Sequence, residues 1–254
     1  MEIQKCAAIV LSSRASGEAD RTVRAYTREF GKRSFVFKGL RKSRKRSVAA
    51  AEPGTVLDLV YYFHDGRDSH IVSEFSIGKQ HREQSGNLSK LLYLFLVLET
   101  VDRTTGQNDP NRTVYELLAA ALDALADTER PAHLAAFFIL HLLRIDGILP
   151  DFSSCRGCGR ADFSAFALDL ADLSPHCADC ARGRGMRRHL PRAAMEFIRT
   201  SLCTRFSHME LAAWDEVTVL DVLFSLCLFI EGYFHVILKS KEMIFSGIAN
   251  GKNA

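Results

Sequence analysis

Four of the seven cysteines stand in two Cys-x-x-Cys pairs, Cys155/Cys158 and Cys177/Cys180, with 18 residues between the pairs. A Cys-x-x-Cys turn lets two thiolates converge on one ion, and two such turns complete the tetrahedron that zinc prefers. Four protein ligands leave no open position for water, so the expected ion is one structural Zn2+. Its binding free energy would become folding free energy for a segment poor in apolar residues. A pair of redox motifs is the competing reading, but in a reducing compartment such pairs bind metal more often than they form disulfides. His176, beside Cys177, is a less favoured substitute ligand. Cys6, Cys203 and Cys227 sit in apolar surroundings and are expected to be small core residues.

The second chemistry is charge. Lys38, Arg41, Lys42, Arg44, Lys45 and Arg46 place six cations in nine residues without an acid. Mutual repulsion disfavours such a cluster unless counterions or phosphates neutralise it, and a polyanion that sheds its own counterions binds it favourably at low salt. DNA or RNA is therefore the expected ligand, with a solvated loop as the alternative. Arg33, at the head of the strand that leads into this loop, is grouped with it. Residues 1–80 hold fifteen Lys/Arg against nine Asp/Glu, although the whole chain has a formal charge of only +3 and a pI near 8.5. A second cluster, Arg182, Arg184, Arg187, Arg188 and Arg192, follows the last zinc cysteine. Arg187 and Arg188 are its candidate phosphate contacts, and a solubilising rim is the competing reading.

No catalytic set emerges. Gly247 to Asn253 is one residue short of a phosphate loop and lacks the Ser/Thr after its lysine. Ser76 to Lys79 matches SxxK without its companion motifs. No GxSxG, HExxH or GxGxxG occurs. His141 interrupts an apolar helix and reads as a hydrogen-bonded core or groove residue. A non-enzymatic protein is expected.

These residues need a frame, and the pattern is α+β. Candidate strands are Cys6–Ser12, Thr22–Thr27, Arg33–Lys38, Val56–His64 and His70–Ile77, each short and bounded by turn signals, with Asp65-Gly66 as a hairpin turn. Five such strands before any helix suit a small closed barrel, an OB-fold, over residues 1–80. Phe35, Phe37 and Tyr26 are expected in its core. Lys79 to Leu88 reads as a linker. A helical domain then runs over residues 81–254, with the zinc module inserted at about 152–190. Leu91 to Leu98 is apolar at every position and reads as a central helix. Asn111 is a plausible N-cap for a helix through Asp127, and another follows Pro131 and ends near Gly147. Helix returns at about Pro191–Arg205 and Val217–Lys239, and the last dozen residues read as frayed. Val217 to Leu238 is nearly long enough to span a bilayer, but Asp221 and Glu231 interrupt it, so a buried helix is expected. The N-terminus is not a convincing signal peptide, and a cytoplasmic protein is expected.

The pieces together resemble one family. Glu18 to Arg46 is similar to the N-terminal barrel of RecO recombination mediators, with its turn, its strand ending in Thr, a Gly, a further strand and a basic Lys-Gly loop. Phe137 to Cys158, with a helix, Gly147, Pro150 and CxxCG, resembles that family's entry into its zinc module, and Tyr233 to Ser240 (YFHVILKS) is similar to its C-terminal helix. Ala49–Ala51 before Glu52-Pro53 departs from the Leu-Gln-Pro that the family often shows. The resemblance implies binding of single- and double-stranded DNA and annealing of complementary strands. It also implies cooperation with RecR and with the C-terminal tail of single-stranded DNA-binding protein, so that RecA is loaded indirectly. A zinc-bearing RNA-binding or transcription-associated module is the alternative.

Overall fold

The structure, a computed structural model, describes residues 2–43, 47–81, 88–161, 165–182, 185–204 and 213–251. Two compact units divide the chain, Met1–Ala126 and Asp127–Ala254.

In the first unit the apolar, β-branched runs form β1 (Glu2–Ser16), β2 (Asp20–Thr27), β3 (Gly31–Phe37), β4 (Thr55–Phe63) and β5 (Ser69–Gln80). They close into a barrel in the order β1-β2-β3-β5-β4, the five-stranded arrangement expected of an OB-fold. Within the barrel β3 and β5 pair parallel and the other neighbouring strands antiparallel. β1 is longer than its apolar run suggested: Glu2 to Ile9 pairs with β4, and Ala8 to Ser16 with β2. A bulge between Val10 and Ser12 bends it from one partner to the other.

Alternation sends Val23, Ala25, Phe35, Phe37, Leu57, Leu59 and Tyr61 into one buried cluster. Phe35 meets Tyr61 edge-on at 5.0 Å, and Phe37 meets Phe75 at 5.3 Å. Burying such a side chain stabilises by roughly 1.5–3 kcal/mol. Tyr26 is buried as expected but is not part of that cluster. It is one residue out of phase with Ala25, so it lies on the outer wall, where its hydroxyl donates to Asn111 O at 3.4 Å.

Two helices complete this unit, α1 (Leu88–Thr104) and α2 (Arg112–Asp127). Asn111 caps α2 as expected: its Oδ1 accepts the N–H groups of Thr113 and Val114. The loop before α2 is zipped to the barrel, with Asn108 N–H donating to Lys32 O at 3.0 Å. Gly31 permits this contact. It has φ +69°, and a Cβ there would lie 2.2 Å from Asp109 O. The expected linker is shorter than read, because β5 runs through Gln80 and the His81 ring is buried between Gly54 O (2.8 Å) and Asp123 Oδ1 (2.7 Å). Leu91, Leu92 and Phe95 are only half-buried, so α1 is not covered all round.

The second unit contains α3 (Pro131–Ile145), α5 (Arg192–Cys203), α6 (Glu216–Phe234) and α7 (Lys239–Gly251). The short α4 (Ala178–Ala181) belongs to the cysteine module. Pro131 opens α3, and Gly147, at φ +69°, closes it through Gly147 N–H to Arg144 O and Ile148 N–H to Leu143 O. α6 packs on α3 and α5. It is long and apolar enough to cross a membrane, but half of its apolar window is buried in the protein. The acids that interrupt it are both paired, Asp221 with Arg188 and Glu231 with Lys241. α6 ends before the expected Lys239, at a left-handed His235. YFHVILKS therefore spans the end of α6 and the start of α7, and α7 forms where fraying was expected.

Candidate metal centre and nucleic-acid surface

The cysteine segment contains strands that its short apolar runs did not reveal. β6 (Ala165–Asp169), β7 (Pro175–Cys177) and β8 (Arg187–Pro191) form a sheet in the order β7-β6-β8, and α4 (Ala178–Ala181) follows β7. Cys177 ends β7, Cys180 lies on α4, and Cys155 and Cys158 sit on the turn that faces them. All four Sγ atoms lie within 4.8 Å of one another. Cys155 and Cys177 are buried and Cys158 is exposed.

Backbone geometry favours thiolate at Cys155. Cys155 Sγ accepts the N–H groups of Cys177 (3.2 Å) and Gly157 (3.4 Å). Burial acts to raise the Cys155 thiol, but the N–H groups of Cys177, Cys158 and Gly157 outweigh it and bring the pKa down to about 6. Hydrogen bonds with Cys158 and Cys177 push Cys180 up to about 12. A Cβ on Gly157 would come 3.0 Å from Cys180 Sγ, so a side chain there would crowd the cluster. Four convergent soft donors fit a thiolate-binding metal ion. His176 is not among them, and its Nε2 meets Ser174 Oγ at 3.1 Å. Cys6 and Cys227 are buried as expected, whereas Cys203 is exposed at the end of α5.

The structure divides the expected phosphate contacts into two groups. Lys38, Arg41 and Lys42 are exposed on the turn after β3, where Lys38 pairs with Asp20 and Lys42 with Glu18. Arg41 has no acidic partner among the described residues. Arg44, Lys45 and Arg46 lie outside the described residues.

The other three are each engaged with partners inside their own unit. Arg33 shares the inward parity of Phe35 and plugs the barrel end, with Tyr61 OH at 2.6 Å, Gln4 Oε1 at 3.1 Å and Asn108 Oδ1 at 2.9 Å. Its guanidinium stacks 4.2 Å from the Phe30 ring centroid. The Arg187 side chain is 5% exposed and spans Asp169 Oδ2 (3.4 Å) and Cys180 O (2.8 Å), so it holds the cysteine module together. Arg188 pairs with Asp221 and stacks on Phe224, joining β8 to α6. A sparse module has few apolar contacts, and these guanidiniums supply contacts in their place.

A site that was not singled out from sequence lies on the outer wall of β1, β2 and β3. Ser12, Ser13, Arg14, Thr22, Arg24, Ser34 and Gln107 line a polar groove of about 460 Å³. The register sets Arg14 opposite Thr22 and Ser12 opposite Arg24. OB-folds bind oligonucleotides on the strand 2–3 face. The signal was the outward parity of Thr22 and Arg24, legible only once the inward residues of β2 are known. In the second unit, Leu149, Pro150, Phe152 and Leu202 line a largely apolar groove of about 610 Å³, with Arg144 and Arg199 beside them. The SxxK motif does not assemble: Ser76 Oγ reaches Asp58 at 3.5 Å, while Lys79 pairs with Asp123. Gly247 lies inside α7.

Residues 1–80 match the family described as Recombination protein O N terminal, and residues 85–242 match Recombination protein O C terminal. The chain is 33% identical over 196 residues to DNA repair protein RecO of Anaeromyxobacter dehalogenans, covering 76% of each chain. It is 26% identical over 247 residues to DNA repair protein RecO of Desulforamulus reducens, covering 96% of this chain and 94% of the relative. A third relative of that name, from Listeria monocytogenes, is 27% identical over 205 residues.

Proposed function

Since the chain belongs to the RecO family of DNA repair proteins, we propose that it is a non-enzymatic recombination mediator of the bacterial cytoplasm. It binds single- and double-stranded DNA and anneals complementary strands. The observation that carries this reading is the cationic surface of the barrel, where the Arg14/Arg24 groove on β1–β3 accompanies the exposed turn with Lys38, Arg41 and Lys42. The continuation of that turn, Arg44, Lys45 and Arg46, adds three cations by sequence. Annealing needs no bond chemistry: these groups offset the repulsion between two phosphate backbones, and base pairing does the rest.

Cys155, Cys158, Cys177 and Cys180 hold one zinc ion. When bound it supplies no reactive position and only fixes the fold of the module, because four protein thiolates fill its coordination. Zinc is favoured because four-thiolate tetrahedra suit it best among common ions. The helical part carries the partner contacts. We assign the C-terminal tail of single-stranded DNA-binding protein to the apolar groove beside Arg144 and Arg199, whose lining also includes Asp151, and RecR binding completes the route to loading RecA.

The test is annealing of complementary strands coated with single-stranded DNA-binding protein, run beside an RNA-annealing arm. Acceleration on DNA that is lost in Arg14→Gln/Arg41→Gln, two cations without an acidic partner among the described residues, supports the reading. Equal activity on RNA would support the RNA-binding alternative, and no acceleration on either would defeat both.

A further inference from the structure

The turn between β1 and β2 grips the basic loop after β3. Asp20 Oδ2 accepts Lys38 Nζ at 2.7 Å, and Asp20 Oδ1 accepts Gly39 N–H at 2.8 Å. Glu18 Oε2 accepts Lys42 Nζ at 3.1 Å, and Arg41 N–H donates to Ala19 O at 2.9 Å. Residues 18 to 20 thus touch the loop at each step, and two of its three described cations are already neutralised by the chain itself. An anion whose oxygens take an ammonium and a backbone N–H is also what a phosphate presents, so Asp20 occupies the loop as a phosphate would. The two acids differ in exposure. The Asp20 side chain is 22% exposed and also fixes the Gly39 backbone, whereas Glu18 is 90% exposed and Lys42 66%. Asp20 therefore shapes the loop, and the Glu18–Lys42 pair is the one open to exchange.

We propose that Glu18 is a built-in competitor of nucleic-acid phosphate: a bound strand takes Lys42 from Glu18, and the carboxylate lowers affinity by holding Lys42 in the free protein. This rests on the reading of the loop as a DNA contact. The competitor lowers affinity modestly, and a strand that engages several barrel cations at once offsets that cost where an isolated phosphate does not.

The experiment is a binding titration of a fluorescent single-stranded oligonucleotide in low salt with the full-length, metal-replete protein. Glu18→Gln is expected to tighten binding by about two- to five-fold, the range of an exposed ion pair. In a Lys42→Gln background the same change should do nothing, because the lysine in dispute is gone. Glu242→Gln, on α7 in the second unit, changes net charge equally and should leave affinity within error. Tightening by Glu18→Gln that persists in Lys42→Gln, or that Glu242→Gln reproduces, would overturn the proposal. So would wild-type binding that weakens with Lys42→Gln but is indifferent to Glu18→Gln, and the loop reading would then survive. Affinity unaffected by Lys42→Gln would overturn both.

Discussion

Lys32 is one of the fifteen Lys/Arg of residues 1–80, yet its side chain is 7% exposed and Asp102 beside it is 8% exposed. Lys32 Nζ donates to Asp102 O at 2.5 Å and stands 3.9 Å from Asp102 Oδ1, which Arg24 Nε approaches to 3.3 Å. Burial pulls Lys32 below the usual lysine value, and the Asp102 carboxylate pulls it back up. Replacing Lys32 with Ala deletes the ammonium and leaves the buried carboxylate with Arg24, an ion pair whose guanidinium is 42% exposed and not aligned as a hydrogen bond. Removing one partner of a buried pair costs roughly 3–5 kcal/mol, whereas replacing both by apolar groups is often neutral or stabilising. The surviving Arg24 contact puts Lys32→Ala at the low end, about 3 kcal/mol. Lys32→Met with Asp102→Leu should return to within ~1 kcal/mol of the parent. Urea denaturation at pH 7, read by far-UV circular dichroism, measures this. Trp214, the one tryptophan of the chain, lies in the second unit and marks that unit's transition separately. A Lys32→Ala protein within ~1 kcal/mol of the parent, or a double variant as damaged as the single, would refute the reasoning.

Three further outcomes follow from particular contacts. With the four cysteines holding an ion as proposed, chelation or Cys155→Ser should open the 152–191 segment to protease while the barrel stays resistant; unchanged cleavage after verified metal loss would contradict that proposal. Gly31→Ala should destabilise by more than ~1 kcal/mol, since φ is +69° and the new Cβ would meet the Asp109 backbone at 2.2 Å; a neutral urea midpoint would contradict the close approach. Burial lowers His70, His133 and His141 below the usual 6.5, so the unfolded chain binds protons that the folded chain refuses, and stability falls as pH drops below 6.5. The urea midpoint should therefore be lower at pH 5.5 than at 7.5, and a rise would reverse the sign of the argument.

The barrel strands, the Asn111 cap and the Gly147 helix end were legible because each rests on a local rule: period-two burial, a capping side chain, a left-handed glycine. The four cysteines were legible by spacing alone. The β6–β8 sheet was not, because strands of three to five residues carry too little alternation to stand out. Charge was the least legible. Arg33, Arg187 and Arg188 look like surface cations in one dimension, but each meets partners distant in sequence: Arg33 meets Tyr61, Arg187 meets Asp169, and Arg188 meets Asp221. The Arg14/Arg24 groove was hidden for the converse reason, since its residues come together only through the β1–β2 register. His141 followed its reading, with Nε2 meeting Ser201 O at 2.9 Å.

The most direct test of an electrostatic hold on DNA is the salt dependence of oligonucleotide affinity for the metal-replete protein. With three to five barrel cations on phosphates, the plot of log K against log salt should fall with a slope of roughly −2 to −4 for a single strand. Arg14→Gln/Arg41→Gln should make that slope shallower. A flat plot, or no binding in dilute buffer, would contradict the account.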